Sequence, residues 1–244
     1  QFYGEFLKYT AGDKKALGIV LTPRHVAELF SLLANVSPAS KVLDICAGTG
    51  GFLISAMQHM LKKAVTEDER TDIKKNRLIG IENNPKMFAL AASNMILRGD
   101  GKANLHQASC FDEAVIKAVK KLKPNVGMLN PPYAQSKSDA ELHELYFVKQ
   151  MLDSLEPGAI GVAIVPMSCA ISPNPVREEL MKRHTLDAVM SMPQELLYPV
   201  GVVTCIMVWI AGQAHAQSDR KTWFGYWRDD GFIKTKNKGR IDQN

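Results

Sequence analysis

Four consecutive residues near the middle of the chain, Asn130-Pro131-Pro132-Tyr133, have side chains suited to acting on a weakly nucleophilic amine. Two prolines in succession cannot continue a helix or a strand, so they predict a rigid turn. The Asn130 side-chain oxygen and the Pro131 carbonyl could each accept one N–H bond, which would free the lone pair of an amine conjugated to an aromatic ring. The Tyr133 ring could stack on that aromatic ring. The alternative is a connecting turn with an exposed tyrosine.

A second candidate site is the glycine-rich segment from Asp44 to Phe52 (DICAGTGGF), which follows a short apolar run. It lacks the Lys-Ser/Thr pair of a P-loop and the third glycine of a dinucleotide-binding turn. Asp44 would repel a pyrophosphate, but it suits a ligand with a cationic amino-acid end. Glu82, at the end of the next apolar run, could accept hydrogen bonds from ribose hydroxyls. S-adenosyl-L-methionine has both groups and no phosphate. The alternatives are helix-dipole complementarity for Asp44 and an exposed strand-end acid for Glu82.

The elements that must position these residues alternate between strand-like and helix-like patterns. The predicted strands cover residues 41–45, 77–82, 103–107, 126–129, 159–165, 186–190 and 202–210. The predicted helices cover residues 52–63, 85–98, 113–122, 142–155 and 176–184. This order predicts an α/β fold with a seven-stranded, mostly parallel sheet and helices on both faces. The last strand is expected to be antiparallel, because no helix pattern precedes it, and the charged segment 61–76 is interpreted as a helix end plus a solvated loop.

Composition places further bounds on the chain. Its 244 residues are 46% hydrophobic, enough for one substantial core. No uninterrupted run of eighteen apolar residues occurs, so no membrane span is expected. The four cysteines lack zinc-ligand spacing, which predicts no metal site and free thiols in a reducing cytoplasm. The chain begins with Gln1, and we interpret it as a fragment of a longer protein.

Charge is concentrated toward the carboxyl end. The net charge is +5, and residues 215–244 contain seven basic residues against four acidic ones. This tail could contact a polyanion, or it could be a solvated surface. We therefore divide the chain into an amino-terminal helical and cofactor-closing segment (1–40), a catalytic domain (41–212) and a basic extension (213–244).

Taken together, these motifs resemble the amino-methyltransferases of restriction-modification systems, most closely the modification subunit of type I systems. Besides 44–52 and 130–133, the resemblance includes Gly18 to Arg24 (GIVLTPR), a cofactor-closing segment, and Pro193 to Trp209, a late loop near the target base. The order of the motifs matches the gamma arrangement. The resemblance implies a Rossmann-like methyltransferase fold and methylation of the N6 amino group of adenine in DNA. The implied partners are DNA, a specificity subunit and a restriction endonuclease subunit.

The same resemblance assigns residues to the site. The implied catalytic residues are Asn130, Pro131, Pro132 and Tyr133. The implied cofactor-binding residues are Thr22, Pro23, Asp44, Ala47, Gly48, Thr49, Gly50, Gly51, Phe52, Glu82, Asn83, Ser109, Cys110 and Asn130.

The chain departs from the family pattern at several positions. Ile45 and Ala47 stand where proline and cysteine are typical. Ser109 occupies the place of an aspartate that helps to bind the cofactor's adenine, and Asp112 could substitute for it. Neither the family's amino-terminal helical domain nor a target-recognition domain is recognisable.

Three other functions remain open at this stage. Glutamine methyltransferases that modify release factors use the same Asn-Pro-Pro-Tyr sequence on a similar amide nitrogen, and guanine methyltransferases act on ribosomal RNA. A catalytically silent cofactor-binding scaffold is a third alternative. Methylation of a cytosine ring carbon is excluded, because it needs a Pro-Cys pair and this chain has none.

Overall fold

The computed structural model describes residues 22–99, 104–133, 143–194, 196–197, 201–235 and 239–242. In these ranges the strands are β1 (Val42–Asp44), β2 (Leu78–Glu82), β3 (Leu105–Gln107), β4 (Val126–Leu129), β5 (Ile160–Pro166), β6 (Thr185–Ser191), β7 (Thr204–Ile210), β8 (Trp223–Tyr226), β9 (Phe232–Thr235) and β10 (Gly239–Asp242). The helices are α1 (Arg24–Leu33), α2 (Gly51–Lys63), α3 (Glu67–Asn76), α4 (Pro85–Leu97), α5 (Glu113–Lys121), α6 (Glu144–Leu152), α7 (Ser168–Ile171) and α8 (Pro175–Arg183). A 3-10 turn follows at His215–Gln217.

The main sheet has the strand order β3-β2-β1-β4-β5-β7-β6-β8. Strands β1 to β5 pair in parallel, as the alternation of strands and helices predicted. Strand β7 is antiparallel to both β5 and β6, so the prediction of an antiparallel final strand is confirmed for this segment. It lies between its two partners and not at the edge of the sheet.

Two details of the prediction are wrong. The sheet has eight strands and not seven, because β8 from the basic extension pairs in parallel with β6. Segment 61–76 is not a loop beyond the helix end, because α3 occupies most of it. The Thr66 hydroxyl accepts from the Glu69 N–H at the start of α3. Acidic residues in its first turn and basic residues in its last complement the helix dipole, so α3 forms although Ile73 is its one buried residue.

Two apolar clusters cover the two faces of the sheet. Buried residues of α5, α6 and α8 form part of one cluster, and buried residues of α1, α2, α3 and α4 form part of the other. Within the latter, Phe30 of α1 stacks on Phe52 of α2 with ring centroids 4.5 Å apart. This packing fixes the helix that follows the glycine-rich loop against the helix at the start of the described chain. In the described ranges we find no helix with the length and apolarity needed to cross a bilayer.

The basic extension returns to α1 after completing the main sheet. His25 Nε2 lies 2.9 Å from Asp230 Oδ2. The His25 ring also stacks on Phe232, with centroids 4.7 Å apart, and meets Trp227 edge-on. The first turn of α1 is therefore held by residues from the far end of the chain.

Two glycines, one in the turn before β5 and one in the turn after β7, differ in the space that surrounds them. Gly158 and Gly212 both have positive φ, +82° and +76°. A Cβ at Gly158 would meet nothing within 4 Å, whereas one at Gly212 would lie 3.0 Å from the Cα of Pro157. We expect Gly158→Ala to lower the free energy of unfolding by about 1 kcal/mol through backbone strain, and Gly212→Ala to lower it by about 2–4 kcal/mol. Urea unfolding of both variants measures the difference. Equal losses would show that the Pro157 contact carries no penalty.

Candidate active site

The glycine-rich segment and the Asn130–Tyr133 turn meet at the point where the order of the strands in the sheet reverses. β1 and β4 are parallel neighbours, with Leu43 opposite Gly127. From β1 the chain continues toward β2 and β3 on one side, and from β4 it continues toward β5 on the other. A crevice therefore opens beyond the carboxyl ends of these two strands, which lie about 4.8 Å apart in a sheet. The glycine-rich loop that follows β1 and the Asn130–Tyr133 turn that follows β4 both border this crevice.

The loop after β1 needs its glycines. Gly48 and Gly50 have φ values of +55° and +82°, a region that disfavours other residues. Gly50 also precedes the first residue of α2 and donates its N–H to the Ala47 carbonyl at 2.7 Å. The Ala47 N–H in turn donates to the Ile81 carbonyl at 2.9 Å, which ties the loop to β2. A tight turn with little side-chain bulk is the result.

Glu82 at the end of β2 organises the neighbouring backbone. Its Oε2 accepts the Gly48 N–H and its Oε1 accepts the Asn84 N–H, each at 2.7 Å. The sequence predicted Glu82 as an acceptor for ribose hydroxyls. A carboxylate oxygen can accept more than one hydrogen bond, so these backbone contacts are compatible with that function. The Glu82 carboxylate thus connects the glycine-rich loop to the backbone at Asn84, just before α4.

Asp44 is a buried carboxyl at the base of the crevice, with 1% of its surface exposed. Burial raises its pKa to about 8, and the nearby Glu82 carboxylate acts in the same direction. The Cys46 N–H donates to Asp44 Oδ1 at 3.0 Å and opposes this rise. Near pH 7 the isolated carboxyl is therefore largely neutral, and a cation arriving beside it would favour the charged form. The cationic amino-acid end of S-adenosyl-L-methionine fits this environment.

Several other residues that were predicted to bind the cofactor lie around the same loop, and they differ in how much of their surface is exposed to solvent. Ala47 and Phe52 are buried, and the Phe52 ring packs on Phe30, so a ligand could meet only the backbone of Phe52. Thr49 is half-buried, and Gly51 and Asn83 are exposed. The structure brings all of them to the end of β1 or β2.

The loop after β3 has no acid available at the position expected to bind adenine. Ser109 is exposed, and its hydroxyl accepts the Phe111 N–H at 3.2 Å. Asp112 caps α5 by accepting the Ala114 and Val115 N–H groups. Both of these bonds use Oδ1, so the substitution of Asp112 for the missing aspartate stays a prediction. Cys110 is buried, and its thiol contacts Cys46.

The turn after β4 is held by a residue from the start of the described chain. Asn130 Nδ2 donates to Thr22 Oγ1 at 3.0 Å. Pro131 is buried and Pro132 is exposed. The predicted closing segment from Gly18 to Leu21 lies outside the described residues. Thr22 and Pro23 follow it and are half-buried.

The Tyr133 ring packs against the apolar cluster that contains α1 and α2. Its hydroxyl is buried and has no hydrogen-bond partner within the part of the chain that the structure describes. Burial raises the pKa of this phenol, and the Glu144 carboxylate raises it further. At any ordinary pH the side chain is therefore a neutral aromatic ring.

Sequence reasoning missed two groups near these motifs. Asn94, a buried amide in the apolar helix α4, donates from Nδ2 to the Thr49 carbonyl at 3.0 Å and steadies the glycine-rich loop. An isolated amide in an Ala-, Met- and Leu-rich helix was the available signal. Near Tyr133, His143, Glu144 and Cys169 place potential metal-ligand atoms within 4.8 Å of one another. Capping and pairing explain them, because His143 Nδ1 accepts the Leu145 N–H and the Cys169 thiol points to Glu144.

The chain thus combines a doubly wound sheet with an acidic glycine-rich loop after β1 and an Asn-Pro-Pro-Tyr turn after β4. The fold agrees with a Listeria monocytogenes protein assigned to the class I methyltransferases that use this cofactor. That protein is 15% identical, with a TM-score of 0.66 over 86% of this chain and 66% of the other. The chain belongs to the N-6 DNA Methylase family, whose model matches residues 1–243.

Curated relatives of this chain are restriction-modification proteins. The type II restriction enzyme and methyltransferase RM.BcgI of Heyndrickxia coagulans is 42% identical over 250 residues, which cover 98% of this chain and 38% of the relative. The type I EcoKI methylase subunit of Escherichia coli is 24% identical over 249 residues, 92% of this chain and 46% of the subunit. The EcoKI M protein structure superimposes with a TM-score of 0.73 at 20% identity, over 94% of this chain and 53% of that one. The chain spans less than half the length of these two curated relatives.

The buried Asp44 carboxyl predicts how the stability of the cofactor-free protein depends on pH. Its pKa rises from 3.8 to about 8 on folding, so the folded state binds the proton more tightly. The resulting stabilisation is complete below about pH 4 and is lost as the pH rises through 8. Relative to Asp44→Asn, which cannot ionise, the wild type should lose on the order of a few kcal/mol of unfolding free energy across this range. Urea titrations from pH 5 to pH 9 measure it, and identical pH profiles for the two proteins would contradict the assignment.

Proposed function

We propose that this chain is the methyl-transferring part of an enzyme that modifies the exocyclic N6 amino group of adenine in DNA. The observation that carries the proposal is the placement of Asn130 and Asp44 at the ends of two adjacent parallel strands. One group can hold an amine and the other can hold the cation of the methyl donor. The family and the names of its restriction-modification relatives favour DNA over a release factor or ribosomal RNA.

The residues around the glycine-rich loop would hold the cofactor. S-adenosyl-L-methionine, when bound, supplies an electrophilic methyl group on a positively charged sulfur. Asp44 would pair with the cationic amino group at the methionine end. Glu82 would accept from the ribose hydroxyls while its two backbone contacts keep it in place. The small residues Gly48 and Gly50 allow a ligand to approach the backbone closely.

The turn after β4 would activate the target amine. The lone pair of the adenine amino nitrogen is delocalised into the ring, which makes it a poor nucleophile. If Asn130 Oδ1 and the Pro131 carbonyl each accept one N–H bond, the lone pair is directed away from the ring. These two acceptors would keep the lone pair facing the methyl donor, and the nitrogen would release one proton to water on methylation. Because the prolines hold the turn rigid, these acceptors need little reorganisation.

Tyr133 would hold the target base. A base inside a duplex cannot reach the crevice, so it must swing out of the helix. The neutral phenol ring offers a flat apolar surface for stacking, which does not require the hydroxyl.

The remaining functions of the whole enzyme are proposed to come from outside this chain. Its relatives are more than twice as long, and their names associate the methylase with a restriction enzyme. We propose that a specificity subunit or region reads the DNA sequence and that a restriction endonuclease subunit is a further partner. The free state of all four cysteines is consistent with a cytoplasmic enzyme.

The substrate is tested by offering tritiated cofactor with duplex DNA, a release factor and ribosomal RNA side by side. DNA alone should be labelled, on the N6 nitrogen of adenine. Asn130→Ala should slow the transfer roughly 100-fold to 1,000-fold, because an acceptor of the reacting amine is lost. Asn130 is also among the implied cofactor-binding residues, but its side-chain oxygen is proposed to engage the target amine, so the affinity for the cofactor, measured by calorimetry, should change by less than about threefold.

The Tyr133 side chain provides the matched control for that experiment. Tyr133→Phe keeps the ring and should stay close to the wild-type rate, whereas Tyr133→Ala should lose most of it. Labelling of the release factor in preference to DNA would replace the proposed substrate with a protein glutamine. Normal turnover in Asn130→Ala would mean that another group activates the nitrogen.

Sequence selectivity is the subject of a separate prediction. Phosphate contacts from a basic surface bind DNA without reading its sequence, and they weaken with salt. Flipping a base also costs a few kcal/mol, which a specific interface must offset. The chain alone should therefore methylate random duplexes weakly, without site preference, and less as salt increases. Robust methylation confined to one short sequence would instead show that loops of this chain, such as residues 193–200, read bases directly.

A further inference from the structure

The hydrogen bond from Asn130 to Thr22 joins parts of the chain that are 108 residues apart. The family resemblance implies that Thr22 binds the cofactor. In the structure its hydroxyl oxygen lies 3.0 Å from the Asn130 amide nitrogen, Nδ2. The contact therefore runs from the amino-terminal segment to the group proposed to activate the target amine.

Thr22 is well placed to act as a fixed point. Pro23 follows it directly, has its φ restricted by its ring, and accepts the Val26 and Ala27 N–H groups at the start of α1. Val26 is fully buried. The neighbouring residue, His25, forms a hydrogen bond with Asp230 of the carboxyl-terminal extension. The backbone next to Thr22 is thus anchored both to the core and to the extension.

The orientation of the Asn130 amide decides whether the proposed reaction can occur. The two ends of an amide have nearly the same shape, but one donates and the other accepts. An amino group needs the acceptor, Oδ1, and would be repelled by the N–H groups of Nδ2. A hydrogen bond that engages Nδ2 fixes the rotation of the amide about its last side-chain bond.

We propose that Thr22 is a positioning residue for methyl transfer, and that its hydroxyl oxygen holds the Asn130 amide with Oδ1 as the acceptor for the target amine. This inference rests on the proposed function. It gives Thr22 a part in the rate of transfer that is separate from cofactor affinity. It also makes the Thr22 hydroxyl a requirement for fast methyl transfer.

The test compares variants of the full chain that differ at the hydroxyl. Thr22→Val keeps the shape of the side chain and removes the acceptor, and Thr22→Ala removes it without adding bulk. Thr22→Ser keeps it. At saturating cofactor, the single-turnover rate of DNA methylation should fall about tenfold to a hundredfold in Thr22→Val and in Thr22→Ala, because a misplaced reacting group costs that much. Thr22→Ser should stay within about threefold of the wild type.

A second measurement separates positioning from cofactor binding. The dissociation constant for the cofactor, from calorimetry, should change by less than about threefold in all three variants. Thermal unfolding identifies a variant that fails to fold, and the remaining hydroxyl-free variant then decides the comparison. A wild-type rate in a folded hydroxyl-free variant would overturn the proposal. A defect seen only in the dissociation constant would also overturn it, because Thr22 would then act by binding the cofactor. If the wild-type chain does not methylate DNA at all, the proposed function has failed instead.

Discussion

The crevice between β1 and β4 exists because the chain leaves these neighbouring strands toward opposite sides of the sheet. A connection that crossed the carboxyl edge between them would fill the space that a ligand needs. The topology therefore brings the ends of two parallel strands side by side with the gap between them open. The strand order creates this cleft. The glycine-rich loop then lines it, and the hydrogen bonds of Glu82 and Asn94 hold that loop in place. A buried, largely neutral Asp44 at its base then favours ligands that bring a positive charge.

The sequence alone was enough to predict the parts of this cleft that depend on local patterns. A short apolar run ending in Asp44, another ending in Glu82 and a third ending just before Asn130 are each recognisable without knowing the fold. Parallel pairing then places all three ends on one edge of the sheet. The antiparallel direction of β7 was also predictable, because no helical pattern separates it from β6.

The remaining features depend on contacts between distant segments or on signals weaker than apolar periodicity. Helix α3 buries little more than Ile73, so its hydrophobic pattern resembles that of a loop. Strand β8 is short and exposed, and it forms the edge of the sheet by pairing with β6, and nothing in its own sequence specifies that partner. The capping of α5 by Asp112 was also not predicted from the sequence, where this residue was considered only as a ligand contact. The Thr22–Asn130 bond could not be inferred because the two residues are brought together only by the folded chain.

The hydrogen bond between His25 and Asp230 spans 205 residues. Ribosomes deliver a chain from its amino terminus, so α1 and both motifs leave the exit tunnel well before the extension does. A nascent chain that ends after β7 would already contain the Asp44 loop and the Asn130 turn, but α1 would lack its contacts with Asp230, Trp227 and Phe232. The contacts that the extension makes with the first turn of α1 are therefore completed late in synthesis, after the segments that contain Asp44 and Asn130 have been made.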